Sequence, residues 1–257
     1  PSDIEDIPIF NDFAKPTKIQ LDNTEINVLE GTINHMGCNG SSSFALLPSI
    51  ISRNEVSFIR EIVQKMEFKT DPDSVDGMCT HEIYINLNKK NDSEDTNTIE
   101  DTNTIEEIIS NIVNSRITPY IRQRYPQPTD DRQCTPSHCL IRRYRKGERR
   151  THVTHRDGHA YATIVISLSD YEKEYRGGIY VASAERYKKI VALNRGDAIV
   201  HKHDLLHGVK VKDDGSERWS LILWYKDSIT GKDYSSEWFK KNAENGIAVY
   251  QSLYANV

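Results

Sequence analysis

Three short stretches of this chain hold residues that could do chemistry together: His155-Arg156-Asp157, His207-Gly208-Val209 and Arg218-Trp219-Ser220. Side chains alternate along an extended strand, so His155 and Asp157, two apart, point to one face. With His207 from a later strand they make two imidazoles and one carboxylate. That set is the facial triad, which leaves open positions on a non-haem Fe(II). Arg218 follows His207 by eleven residues. Its planar, permanently charged guanidinium suits a bidentate contact with the carboxylate of a co-substrate. Ser220, two further on, shares its strand face.

Each of these residues has a plainer reading. His155 could be a satisfied surface histidine, Asp157-Gly158 a turn pair, and Arg218 an ordinary strand residue. His207 has rivals in His201-Lys202-His203-Asp204 just upstream. His201 and His203 would share a strand face, and a cupin-like metal site could use both. His207 is preferred because it alone is followed by Gly-Val and then an Arg at suitable distance. That leaves His201 and His203 to packing or to hydrogen bonds behind the ligands.

The elements that must position these groups can be read from hydrophobic period and turn chemistry. The first 46 residues read as an irregular arm or lid, rich in Pro, Asn, Asp, Gly and a Ser41-Ser42-Ser43 run. Ser52-x-x-Glu55 is a capping box, and Val56, Ile59, Ile62, Val63 and Met66 follow at helical spacing. Ile83, Ile85 and Leu87 alternate as in a strand. Residues 89–104 are polar and carry a tandem repeat, Glu94 to Ile99 and Glu100 to Ile105, read as an acidic surface loop. Two copies are too few for a solenoid. Thr104-x-x-Glu107 resembles a second capping box, opening a helix through Ile105, Ile108, Ile109, Ile112 and Val113 that Pro119 ends.

From residue 137 the texture changes to short apolar or alternating runs: Cys139–Tyr144, Ala160–Leu168, Gly178–Val181, Ile190–Leu193, Ala198–Val200, Val209–Val211 and Arg218–Tyr225. Gly-Gly, Gly-Asp and Asp-Gly turns separate them. Many short strands at this spacing argue for a double-sheet barrel or jelly roll. Trp238, Phe239, Ala243, Ile247 and Tyr250 suggest a closing helix. The expected fold is therefore α+β and mostly β, a double-stranded β-helix (jelly-roll) flanked by helices. The expected organisation is an arm over 1–46 and one domain over 47–257. Within that domain the helical part is 47–136, the core 137–226 and the C-terminal helix 236–252.

Composition narrows the partners. The chain has 257 residues, 37% hydrophobic and 28% charged, with a formal net charge of −5. No broad basic face advertises nucleic acid. The local run Arg142, Arg143, Arg145, Lys146, Arg149 and Arg150 reads first as a solvated loop face and second as an anionic substrate contact. No apolar run approaches the roughly 20 residues of a membrane span, and the N-terminus lacks a signal-peptide pattern. Cys38, Cys79, Cys134 and Cys139 show no Cys-x-x-Cys spacing, so free thiols in a reducing, cytoplasmic setting are expected.

The ordered set Tyr144, His155-Arg156-Asp157, Thr163, Gly177-Gly178, Gly196-Asp197, His207-Gly208-Val209, Arg218 and Trp224 resembles the Fe(II)- and 2-oxoglutarate-dependent oxygenases, within them the prolyl 4-hydroxylase-like group. The likeness covers roughly residues 137–226. His-x-Asp alone is weak; the ordered set is specific. The resemblance implies that His155, Asp157 and His207 ligate iron. It also implies that Arg218 pairs with the distal carboxylate of 2-oxoglutarate, with Ser220, Thr163 and Tyr144 as hydrogen-bond partners. Fe(II), 2-oxoglutarate and O2 would be the cofactors, with ascorbate as a reductant. Prolyl 4-hydroxylases in the strict sense usually carry Lys where this chain has Arg218, which weighs against peptidyl proline as substrate.

The implied reaction is oxidation of an unactivated C–H bond, by hydroxylation or oxidative cyclisation, with release of succinate and CO2. A small amino-acid-like metabolite is the preferred substrate, with Arg156, His159, Tyr161 and Trp224 as candidate contacts. A prolyl residue in a peptide or protein is the second reading, and a non-catalytic metal-binding barrel the third.

Overall fold

Alternation along the central strands fixes the layers. In the strand Ala162–Ser167, Ile164 and Ile166 belong to one apolar cluster and Val165 to another. In Arg218–Lys226, Trp219, Leu221, Leu223 and Tyr225 face the first cluster, while Ile222 and Trp224 face the second. Strands covered on both faces read as continuous apolar runs, as these do.

The computed structural model describes residues 7–22, 24–35, 40–73, 75–87, 99–125, 135–183 and 187–226. The strands are β1 Thr17–Gln20, β2 Glu25–His35, β3 Gly40–Leu47, β4 Lys69–Pro72, β5 Cys79–Tyr84, β6 Thr135–Tyr144, β7 Thr151–His155, β8 Ala162–Ser167, β9 Gly177–Ala182, β10 Lys188–Ile190, β11 Ala198–Lys202, β12 His207–Val211 and β13 Arg218–Lys226. The helices are α1 Arg53–Val63, α2 Ile99–Ile112 and α3 Thr118–Arg124. A nine-stranded sheet has the order β1-β2-β3-β11-β8-β13-β6-β5-β4, and a four-stranded sheet the order β10-β9-β12-β7. All named pairings are antiparallel. Phe44, Leu140, Val165, Ile199 and Ile222 of the large sheet meet Ile179 and Val181 of the small one in a shared core. The other face of the large sheet buries Val56, Ile59, Ile105, Ile109 and Ile121 of the helices. This is the expected mostly-β jelly roll flanked by helices.

Helix α1 forms as its sequence dictates. Ser52 caps it, the Ser52–Glu55 box is reciprocal, and Val56, Ile59, Ile62 and Val63 are buried. The glycine of the Gly196-Asp197 turn is dictated too. Its φ is +86°, and a Cβ there would lie 2.0 Å from the Ile51 carbonyl oxygen.

Several expectations are corrected. Residues 17–47 are not an irregular arm but contain β1–β3, which extend the large sheet; their polar alternation suits strands exposed on one face. Residues 7–13 do reach the core as a wrapping segment, with Phe10 and Phe13 edge-on to Phe44. Residues 99–104, expected in a loop, open α2, so Thr104 sits inside the helix rather than capping it. Pro119 does not end the helical segment. A π-helical turn, Val113–Ile117, precedes it and Pro119 sits in the first turn of α3, where a missing N–H is tolerated. Only Ile190 of the run Ile190–Leu193 is in a strand. Residues 89–98, Cys38, Cys134 and the expected helix 236–252 lie outside the described residues. Cys79 and Cys139 are free thiols. No helix among the described residues is long and apolar enough to cross a membrane.

Candidate metal centre and cleft

Strands β7 and β12 bring the metal-type residues together. His155 and His207 are direct partners across this pair, with ring centroids 4.4 Å apart. Asp157 lies just past the end of β7. Its Oδ1 is 3.4 Å from His155 Nε2 and its Oδ2 is 3.7 Å from His207 Nε2. Ligand atoms of the three residues all fall within 4.8 Å of one another, and among the described residues this is the one such group.

Each imidazole is aimed by a nearby carbonyl of its own chain segment. His155 Nδ1–H donates to the Val153 carbonyl at 2.8 Å, and His207 Nδ1–H to the Leu205 carbonyl at 3.2 Å. Both bonds reach two residues back along the chain. They fix the tautomer and turn both Nε2 lone pairs toward Asp157. On the carboxylate, Oδ2 accepts from Thr163 Oγ1 at 2.6 Å and from Trp224 Nε1–H at 3.1 Å. Burial alone would push this carboxyl up, but the imidazoles of His207, His155 and His201 outweigh it and hold it well below the usual range. Burial, with His201 close by, pushes His207 well below the usual histidine value. His155 moves the other way; burial lowers it, but Asp157, the Val153 carbonyl and Asp73 together raise it above the usual histidine value.

The triad opens on a cleft lined by Tyr144, Val165, Ile179, Val209, Ile222 and Arg218 among others. Arg218 is only 1% exposed. Its Nη1–H donates to Ser220 Oγ at 3.0 Å, while Nε and Nη2 have no hydrogen-bond partner. Tyr144 and Tyr175 flank the guanidinium, each ring centroid 5.8 Å from Cζ. A buried guanidinium with two free donors is costly unless an acceptor meets it. The two free imidazole nitrogens, the free Asp157 Oδ1 and this unmatched cation fit a divalent ion together with a small dicarboxylate.

Other expected site residues fall elsewhere. Thr163 and Trp224 line the cleft, as expected of site residues, and each also donates to Asp157. Ser220 orients Arg218. Tyr161 is buried in the helix-side core, its hydroxyl donating to the Tyr125 carbonyl at 2.8 Å. Arg156 Nε–H donates to the Asp204 carbonyl at 3.1 Å. His159 is exposed, its ring centroid 5.6 Å from that of Trp224. Neither Arg156 nor His159 lines the cleft.

His201 and His203 do not form a site of their own. His201 is fully buried beside His207, ring centroids 4.4 Å apart, with Nδ1–H on the Lys202 carbonyl at 2.9 Å. His203 lies beyond the end of β11.

The basic run is a solvated face only at Arg145 and Lys146, which are exposed; the other four side chains are buried or half-buried. Arg142 is buried, 2.6 Å from Glu82 Oε1 through Nε and 3.1 Å from Asp73 Oδ2 through Nη2. Arg143 and Arg145 share Glu148, at 2.5 and 2.6 Å. Arg149 pairs with Asp76 at 2.5 Å, and Arg150 donates to the backbone carbonyls of Lys212 and Ser216. Nothing in the local sequence signals these partners, which lie sixty or more residues away for Arg142, Arg149 and Arg150. The cleft also contains His152, which period-two alternation would have placed on the opposite face from His155.

No protein-family profile matches the chain, and no curated protein does. Solved structures do. One is an oxidoreductase of the 2OG-Fe(II) oxygenase family from Burkholderia pseudomallei, with a TM-score of 0.52 at 18% identity over 72% of this chain and 85% of that one. HygX from Streptomyces hygroscopicus, solved with nickel and 2-oxoglutarate bound, gives 0.52 at 12% identity over 73% and 84%. A prolyl hydroxylase from Trichoplax adhaerens, in complex with a hypoxia-inducible-factor peptide fragment, gives 0.53 at 14% identity over 75% and 86%. The chain has the fold of the 2-oxoglutarate/Fe(II) oxygenases.

Proposed function

We propose that the protein is an Fe(II)- and 2-oxoglutarate-dependent dioxygenase that oxidises a C–H bond of a small, amino-acid-like metabolite. The observation that carries this reading is the pairing of the His155–Asp157–His207 cluster with the buried, half-partnered Arg218 in one cleft. In this reading, Fe(II) with 2-oxoglutarate supplies the oxidising power, O2 and 2-oxoglutarate going to succinate and CO2 as the substrate C–H bond is oxidised.

The chain's own residues do the rest. His155 and His207 present Nε2, and Asp157 presents Oδ1 while Thr163 and Trp224 hold its other oxygen. Arg218 takes a carboxylate through Nε and Nη2, oriented by Ser220. Val165, Ile179, Val209 and Ile222 keep the cleft apolar and dry around these groups. The buried setting of Asp157, His207 and Arg218 favours a compact substrate. A prolyl residue of a peptide is the second reading, supported by likeness of fold to a peptide-bound prolyl hydroxylase.

The test is succinate formation from 2-oxoglutarate under air with Fe(II) and ascorbate. Small amino-acid-like compounds should stimulate it above the uncoupled rate, and Asp157→Ala should abolish it. Stimulation by proline-containing peptides alone would move the assignment to the second reading. No succinate with any Fe(II)-loaded sample would refute the enzyme.

A further inference from the structure

Strand β7 carries an extra residue beside the candidate metal centre. On β12, His207 and Val209 are two apart; their partners on β7, His155 and His152, are three apart. Two residues, Val153 and Thr154, opposite the single Gly208 make a bulge, and it turns His152 to the same side as His155. The two rings stack, centroids 4.2 Å apart and planes 26° from parallel. Both histidines line the cleft.

His152 is held from behind by charged groups of other elements. Arg142 on β6 has only donors, and its Nη1 lies 3.0 Å from His152 Nδ1. Nδ1 therefore bears the lone pair and Nε2 the proton; Nε2 lies 3.3 Å from Asp73 Oδ1 without making a hydrogen bond to it. Asp73 is itself fixed by Arg142 and by the Val75 backbone N–H at 2.8 Å.

We propose that His152 is a positioning residue for the metal ligand His155, a tethered imidazole whose face sets the plane of the ligating ring. This rests on the metal-site reading above.

The experiment is Co(II) titration of the full chain, reading affinity and the visible d–d bands, with thermal unfolding as the check on folding. Wild type should bind and Asp157→Ala should not; equal binding by these two would sink the metal-site reading itself. His152→Gln retains an acceptor for Arg142 and a donor near Asp73 but has no ring face. It should weaken Co(II) binding by about 10-fold or more, the range found when groups supporting metal ligands are lost, and shift the bands. His152→Phe restores the face and should recover most of the affinity and the wild-type bands. If folded His152→Gln matches wild type in both affinity and spectrum while Asp157→Ala does not bind, the positioning role is wrong and the metal site stands.

Discussion

Replacing Arg218 with methionine separates recognition of the co-substrate from everything else in the cleft. Methionine fills much of the arginine stem while removing the charge and the donors. The guanidinium has one N–H on Ser220 and two donor atoms, Nε and Nη2, without a partner. With 2-oxoglutarate in the cleft, those two would meet one carboxylate side by side. A hydrogen bond to a charged group contributes about 1.5–3 kcal/mol, which is roughly a 10- to 150-fold change in dissociation constant. Calorimetric titration of 2-oxoglutarate into anaerobic Mn(II)-loaded protein should show a loss in that range or larger. Mn(II) affinity itself should not change, because Arg218 is not a candidate ligand. Without 2-oxoglutarate, Arg218→Met should be no less stable than wild type, since it removes buried donors that have no acceptor. Unchanged 2-oxoglutarate affinity in Arg218→Met would refute the reasoning and point to Arg142, the other guanidinium in the cleft.

Three further predictions concern the scaffold. Arg142→Met leaves the buried carboxylate of Glu82 without its cation and Asp73 with only the more distant Arg149, and urea unfolding should show a loss of about 3–5 kcal/mol. Gly196→Ala forces a side chain into a left-handed conformation with its Cβ against the Ile51 carbonyl. It should lower stability by at least about 1–3 kcal/mol, measured as a fall in unfolding midpoint. The Arg116 guanidinium and the Ser52 cap hold Glu55 at about 2, below its ordinary 4.5. The unfolded chain therefore binds the extra proton in that window, and the contribution of Glu55 is lost as pH falls from 4.5 toward 2. The stability gap between wild type and Glu55→Gln should narrow across the same interval in pH-resolved denaturation.

What was legible in the sequence follows from how local each determinant is. The cap of α1 depends on residues three apart, and the runs of β8 and β13 on neighbours along one strand. The spacing of His155 and Asp157, and the position of Arg218, likewise lie within short stretches. Three kinds of feature were not legible. The buried ion pairs of Arg142 and Arg149 depend on acids some sixty or more residues away, so a cluster of charges read as solvated. The bulge that brings His152 beside His155 depends on register with β12 and defeats simple alternation. Thr163 and Trp224 were recognised as site residues, but their donation to Asp157 could be seen only once β8 and β13 were paired, Thr163 against Trp224. Strands β1–β3 were missed because their polar, glycine- and serine-bearing runs carry turn chemistry as well as alternation, and pairing to β11 decides between them.

The most direct test of the central claim is anaerobic titration of Fe(II) and 2-oxoglutarate into the purified protein, following the weak visible charge-transfer band of a chelated complex. The expected result is a band that needs both components, disappears in His207→Ala, and in Arg218→Met requires far more 2-oxoglutarate. A folded protein that gives no band, or a band that persists in His207→Ala, would contradict the claim.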